Sequence, residues 1–240
     1  MAREKIAEKR NRALLVAERM NNYYGQAECA LHYSSPFTLT IAVLLSAQTT
    51  DAGVNKVTPR LFERYGTPEK MAQADTEEVM DIIHSIGFYR NKAKNCIACA
   101  QMIMSDFGGE VPHTMEDLQK LPGVGRKTAN IVLNEAFGIV EGIAVDTHVF
   151  RIAHKLKFAG PSADTPAKTE QALLKLYPEE YWKPSITNGF FLDANSASHD
   201  APNAPNALFL IFAQTRQNKR ISLTKTAAIS ALFICFCNKP

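Results

Sequence analysis

Lys127 and Asp146 are the residues of this 240-residue chain whose types and surroundings best suit covalent chemistry. Lys127 follows Leu121-Pro122-Gly123-Val124-Gly125-Arg126, and Asp146 stands in Val145-Asp146-Thr147-His148. Gly123 and Gly125 should leave backbone amides bare at the start of a helix, where the dipole favours a phosphate oxygen. The same field disfavours an ammonium one step inside the helix. A neutral lysine amine is a nucleophile that forms Schiff bases. Asp146 can cap the following helix and also face Lys127 as a base.

The elements that position these groups are legible from Thr114 to Phe150, TMEDLQKLPGVGRKTANIVLNEAFGIVEGIAVDTHVF. Thr114 is a good N-cap with Asp117 three residues on. The first helix ends near Leu121, Pro122 stops it, and the two glycines supply a turn that no side chain crowds. A second helix starts at about Arg126, with Ala129, Val132, Leu133, Ala136 and Phe137 on one core-facing side. A third begins at Asp146.

Taken singly these features are weak. Pro-Gly-x-Gly is a common turn, a lysine in a first helical turn is usually solvated, and Asp before Thr-His is usually a cap. Together they are more specific. LPGVGRKTAN followed by VDTHVFR resembles the endonuclease III family of DNA glycosylases, built on a helix-hairpin-helix motif with a catalytic lysine and aspartate. Lys127 and Asp146 fall on those positions. The resemblance runs from about residue 6 to about residue 182.

It implies further site residues. In LLSAQTTD, Gln48 matches a glutamine that enters the duplex opposite an extruded nucleotide. In SIGFYRNKA, Phe88 takes the place of an apolar wedge that fills the gap in the base stack. Without the resemblance Gln48 is a solvated loop residue and Phe88 a buried anchor at a helix start. Leu121, Gly123, Gly125, Arg126, Thr128 and His148 are the remaining residues expected against DNA.

Composition bounds the class more than the function. Hydrophobic residues make up 46% and the net charge is +3, which permits a nucleic-acid partner without demanding one. Five cysteines, at 29, 96, 99, 235 and 237, form no disulfide scaffold and suit a reducing compartment. Cys96 and Cys99 have CxxC spacing inside a helix with no second pair, which reads as helix packing rather than metal ligation, so no metal ligand is assigned. The basic start, Met1 to Arg12, lacks an apolar core and is no signal peptide. The apolar run Ala227 to Phe236 is too short to span a bilayer. The expectation is a cytoplasmic, nucleoid-associated monomer with no membrane contact.

Along the chain every signal is helical. Residues 3 to 24 read as a basic amphipathic helix with Ile6, Leu14 and Met20 among its apolar positions. Ser34-Ser35-Pro36 opens a buried helix over Phe37 to Ala47. Gln48-Thr49-Thr50-Asp51 is a polar break. Helices follow over Asp51 to Tyr65, from Thr67-Pro68, from the Asp75/Glu78 capping pair to Gly87, and from Phe88 to Phe107, stopped by Gly108-Gly109. Nothing alternates as a strand should. The fold class is all-α, in two lobes with the active site in the cleft between them. Residues 36–139 form a bundle containing the helix-hairpin-helix (114–137). Residues 1–35 with 140–183 form the second lobe.

From residue 184 to 240 the chain departs from the family. The resemblance implies four cysteines, spaced C-x6-C-x2-C-x5-C, around a [4Fe-4S] cluster; those ligands are missing, so the chain as written implies no cofactor. A shift of reading frame would account for the loss, the other reading being a genuine divergent tail with a chance pattern. Asp, Asn, Phe and many Ser codons end in a pyrimidine, and every Ala codon begins with GC, so the pair read one register over can spell TGC, cysteine. Ser196-Ala197, Asn203-Ala204, Asn206-Ala207 and Phe212-Ala213 fall at the family's spacing. Leu192-Asp193-Ala194 can likewise spell Gly-Arg just upstream. The inference is a shift of frame between about Lys183 and Asn188, with the tail a translation of the wrong frame.

The expected function is removal of oxidised pyrimidines from double-stranded DNA by a glycosylase that also cuts abasic sites by β-elimination. Two other readings remain. A mismatch-adenine glycosylase shares the motif and the aspartate but typically lacks the lysine. A non-catalytic helix-hairpin-helix protein, or an inactive enzyme with a spoiled tail, needs the glycines but not the Lys127/Asp146 pair.

Overall fold

The computed structural model describes residues 4–24 and 29–182. The expected out-of-frame tail, 184–240, lies outside the described residues. Among the described residues there are ten α-helices, one 3-10 turn (Glu179–Tyr181) and no strand.

The first core is built around α2 (Pro36–Leu45), in which Phe37 through Leu45 are all buried. A helix buried all round suits its uninterrupted apolar sequence. Ser35 starts it through a reciprocal capping box with Thr38, and Pro36 occupies the first turn, where its missing N–H costs nothing. Leu39, Ile41 and Leu45 are fully enclosed, each contributing about 1.5–3 kcal/mol of burial. Around α2 lie α3 (Asp51–Tyr65), α4 (Pro68–Ala72), α5 (Thr76–Ile83), α6 (Tyr89–Asp106), α7 (Met115–Leu118) and α8 (Arg126–Phe137).

Two expectations in this region need correction. The helix expected to run to Gly87 ends at Ile83, because Ile86 folds back into the core through a turn onto the Ile83 carbonyl. Asp75 does accept from the Glu78 amide, but the Glu78 carboxylate goes to Arg64 and Tyr65, so the cap is one-sided.

Further buried residues fall outside that core: Ala13, Val16 and Ala17 of α1 (Ile6–Tyr24), Val149 and Ile152 of α9 (Thr147–Lys155), and Leu173 of α10 (Pro166–Leu174). Ile6, one of the apolar positions of the expected amphipathic helix, is 63% exposed. Small residues face inward instead and let α1 approach closely. Arg10 donates to the Lys175 carbonyl at the end of α10, and Arg12 to the Leu156 carbonyl just past α9. Both guanidiniums therefore satisfy orphan carbonyls at the negative ends of helices.

Candidate active site

The hairpin forms for reasons the glycines make explicit. Leu121 to Val124 is a β-turn closed by the Val124 amide on the Leu121 carbonyl, with Pro122 second and Gly123 third at φ +80°. That is the type II geometry, which asks for glycine at the third position. A Cβ on Gly123 would also lie 3.0 Å from both Asn95 Nδ2 and Leu44 Cδ1. Gly125 differs. Its φ is −88°, and a Cβ there would meet nothing within 4 Å. No side chain caps α8, so the amides of its first turn open onto the space beside Gly125. The need for a residue without a side chain, expected at both glycines, holds inside the protein at Gly123 alone.

Lys127 projects from the first turn of α8 and is exposed. Its Nζ lies 3.3 Å from Asp146 Oδ2. Asp146 Oδ1 meanwhile accepts the Val149 amide at 2.9 Å, so this carboxylate caps α9 and faces the lysine at once. The side chains of the pair are 44% and 25% exposed, open to a ligand. Asp51, at the first turn of α3, adds a carboxylate that the sequence reading passed over. Burial pushes its carboxyl above the ordinary range, with the Lys127 ammonium pulling the other way. Its position directly after the Gln48-Thr49-Thr50 break was the available signal.

The other expected residues divide. Gln48 and Phe88 are exposed, and Phe88, at 65%, is no buried anchor. Both have left-handed backbones, at φ +54° and +59°. Leu121 is 2% exposed, so its side chain belongs to the core and not to a DNA surface. Arg126 is already engaged: its guanidinium donates to both oxygens of Glu170, at 2.5 and 3.1 Å, and Glu170 is buried. That arginine is therefore a link between α8 and α10. Thr128 is half-buried in the first turn of α8. His148 lies in the first turn of α9, but its side chain is outside the described part. A groove of about 650 Å³ between α1 and α10, with Ile6, Phe158 and Leu176 in its walls, reaches the Arg126–Glu170 pair but not Lys127.

The described thiols do not fit an iron-sulfur cluster. Such a cluster needs four thiolates. Cys96 and Cys99 are fully enclosed in the first core, and burial pushes the Cys99 thiol up to about 12 and raises Cys96 as well. Among the described residues no three His, Cys, Asp or Glu side chains group to hold a metal.

Comparison with known proteins bears on this arrangement. Residues 41–179 match the HhH-GPD superfamily of base excision DNA repair proteins. The chain is 46% identical over 179 residues to endonuclease III of Synechocystis sp., covering 75% of this chain and 81% of that one. It is 48% identical over 171 residues to endonuclease III of Bacillus subtilis, covering 71% and 76%. The chain belongs to the endonuclease III family. It is thus a base-excision-repair enzyme, a DNA glycosylase with abasic-site lyase activity. In three dimensions it resembles a trapped endonuclease III–DNA covalent intermediate, with a TM-score of 0.74 and 42% identity over 82% of this chain and 91% of that one. Among the described residues no helix is long and apolar enough to cross a membrane.

Proposed function

We propose that this endonuclease III family member excises oxidised pyrimidines through Lys127 and Asp146. The observation that carries the reading is the 3.3 Å approach of Lys127 Nζ to Asp146 Oδ2 beside the uncapped start of α8. Asp146 takes a proton from the lysine ammonium. The free amine then attacks C1′ of the deoxyribose as the N-glycosidic bond breaks and the damaged base leaves with the bonding pair. The C1′–O4′ bond of the sugar then breaks, O4′ taking the proton that the nitrogen loses, and the resulting ring-opened imine acidifies the C2′ proton. Its removal expels the 3′ phosphate oxygen, which cuts the strand. The covalent DNA complex of the structural relative supports an enzyme-linked intermediate of this kind.

DNA is held mainly through phosphates, at the amides that Gly125 leaves open. Gln48 and Phe88 occupy the gap and the space opposite when the damaged nucleotide is turned out of the stack. The enzyme acts as a monomer on the DNA of the bacterial nucleoid. The described residues supply no cluster, and no step above uses one.

The test is covalent trapping. With DNA carrying an oxidised pyrimidine, borohydride should link the protein to the strand, and Lys127→Gln should give no adduct. Asp146→Asn keeps the cap acceptor but loses the charge, and excision should slow by about 100-fold, as expected of a general base. Equal trapping by Lys127→Gln would overturn the assignment of the nucleophile.

A further inference from the structure

Gln48 and Phe88 are both exposed non-glycine residues with left-handed backbones. Such conformations cost free energy and persist where the surrounding structure over-determines them. The two loops lie beside each other: a Cβ added to Gly87 would come within 3.9 Å of the Gln48 carbonyl oxygen. What holds them together lies on one side of α6, at spacings of four and three residues.

Phe88 is the N-cap of α6. One turn on is Lys92, a lysine only 5% exposed. Its Nζ donates to the Leu45 carbonyl at 2.8 Å and to Thr49 Oγ1 at 2.7 Å. Leu45 ends α2, where the helix dipole is negative and suits an ammonium. Thr49 adjoins Gln48. One turn further, Asn95 lies against Gly123 of the hairpin. Burial lowers the affinity of Lys92 for its proton, yet two oxygens and a helix terminus compensate the charge where water cannot. A buried lysine is an expensive way to fill space, and the chemistry above does not use it.

We propose that Lys92 is a positioning residue, whose ammonium fixes the 46–50 loop to α6 so that Gln48, Phe88 and the hairpin meet one duplex at set relative heights. It rests on the reading of Gln48 as the residue that enters the duplex. Lys92 touches no DNA and acts through Thr49.

The test compares Thr49→Val, Lys92→Met and Gln48→Ala in the full chain. Thr49→Val keeps the shape of the side chain and leaves the bond to Leu45 intact, so it keeps the test open if Lys92→Met does not fold. The readouts are Tm, kcat at a preformed abasic site, and the ratio of Kd for undamaged duplex to Kd for duplex carrying a tetrahydrofuran abasic analogue. Thr49→Val should keep kcat and lower Tm by only a few degrees, since the buried ammonium loses one of its two acceptors, but it should lose roughly tenfold in that ratio, a modest share of what a 1 Å misplacement can cost. Gln48→Ala should lower the same ratio. If Gln48→Ala lowers it while Thr49→Val and any folded Lys92→Met do not, Lys92 is merely structural and the reading of Gln48 stands. If Gln48→Ala leaves the ratio unchanged, that reading falls and the positioning role with it.

Discussion

Gly123 and Gly125 look alike in sequence and do different work. Gly123 is required by the fold, through its φ of +80° and the closeness of Asn95 and Leu44. Gly125 is required by nothing in the protein, since its φ is ordinary and the space beside it is empty. Gly123→Ala should therefore lower Tm by several degrees, a loss of about 1–3 kcal/mol from strain at a left-handed position. Gly125→Ala should leave Tm unchanged and weaken binding to any duplex, because its methyl group stands where a phosphate would reach the amides. Calorimetry on both variants beside a filter-binding series separates the two roles. Sequence could identify the hairpin because proline and glycine have local meanings. It could not separate the glycines, because that depends on Asn95 and Leu44, distant in the chain. The same limit hid Glu170, without which Arg126 reads as a free cation, and the burial of Leu121.

Element boundaries were legible wherever a cap marks them. Ser35, Thr50, Thr67 and Thr114 each accept the backbone amide three residues on, and their helices start where expected. Helix α1 is the counter-example. Bulk alone suggests Ile6 and Leu14 on its inner face, whereas among its described side chains Ala13, Val16 and Ala17 are enclosed and Ile6 is exposed. Its attachment is polar as well as apolar. Arg12 donates to Leu156, pairs with Glu4 and lies 4.7 Å from the centre of the Phe158 ring. Arg12→Ala should cost about 1–3 kcal/mol, from a charge-assisted bond to an orphan carbonyl and a cation–π contact. Urea unfolding checks it: the midpoint should fall with the m-value unchanged. A loss under about 0.5 kcal/mol would reduce Arg12 to a surface ion pair.

At the scale of the whole molecule, the family likeness up to about residue 182 and the composition of the tail disagree, and a shift of reading frame would account for both. The residues from 184 onward contain Cys235 and Cys237 alone as possible thiolate ligands. The chain as written should bind no iron. A version with the reading frame restored near codon 185 should be yellow-brown, with an absorbance band near the visible–ultraviolet boundary, and should process abasic DNA faster. Iron analysis and turnover on matched preparations decide between them. Iron bound stoichiometrically by the written chain, or equal turnover without it, would make the tail a genuine element and the frameshift wrong.

The pairing of Arg126 with Glu170 has a consequence for how the enzyme responds to electrolyte. Binding to DNA displaces condensed counterions, and each phosphate neutralised adds about 0.9 to the slope of log K against log salt. A guanidinium already matched to a buried carboxylate displaces none, so Arg126 should be silent in that titration despite standing beside the hairpin. Glu170→Gln releases it. The variant should bind undamaged duplex more tightly at low salt, with the slope steeper by up to about 0.9. A steeper slope in the variant would mean that native Glu170 weakens attachment to undamaged sequence, letting an enzyme that inspects duplex leave each ordinary site sooner through one internal carboxylate.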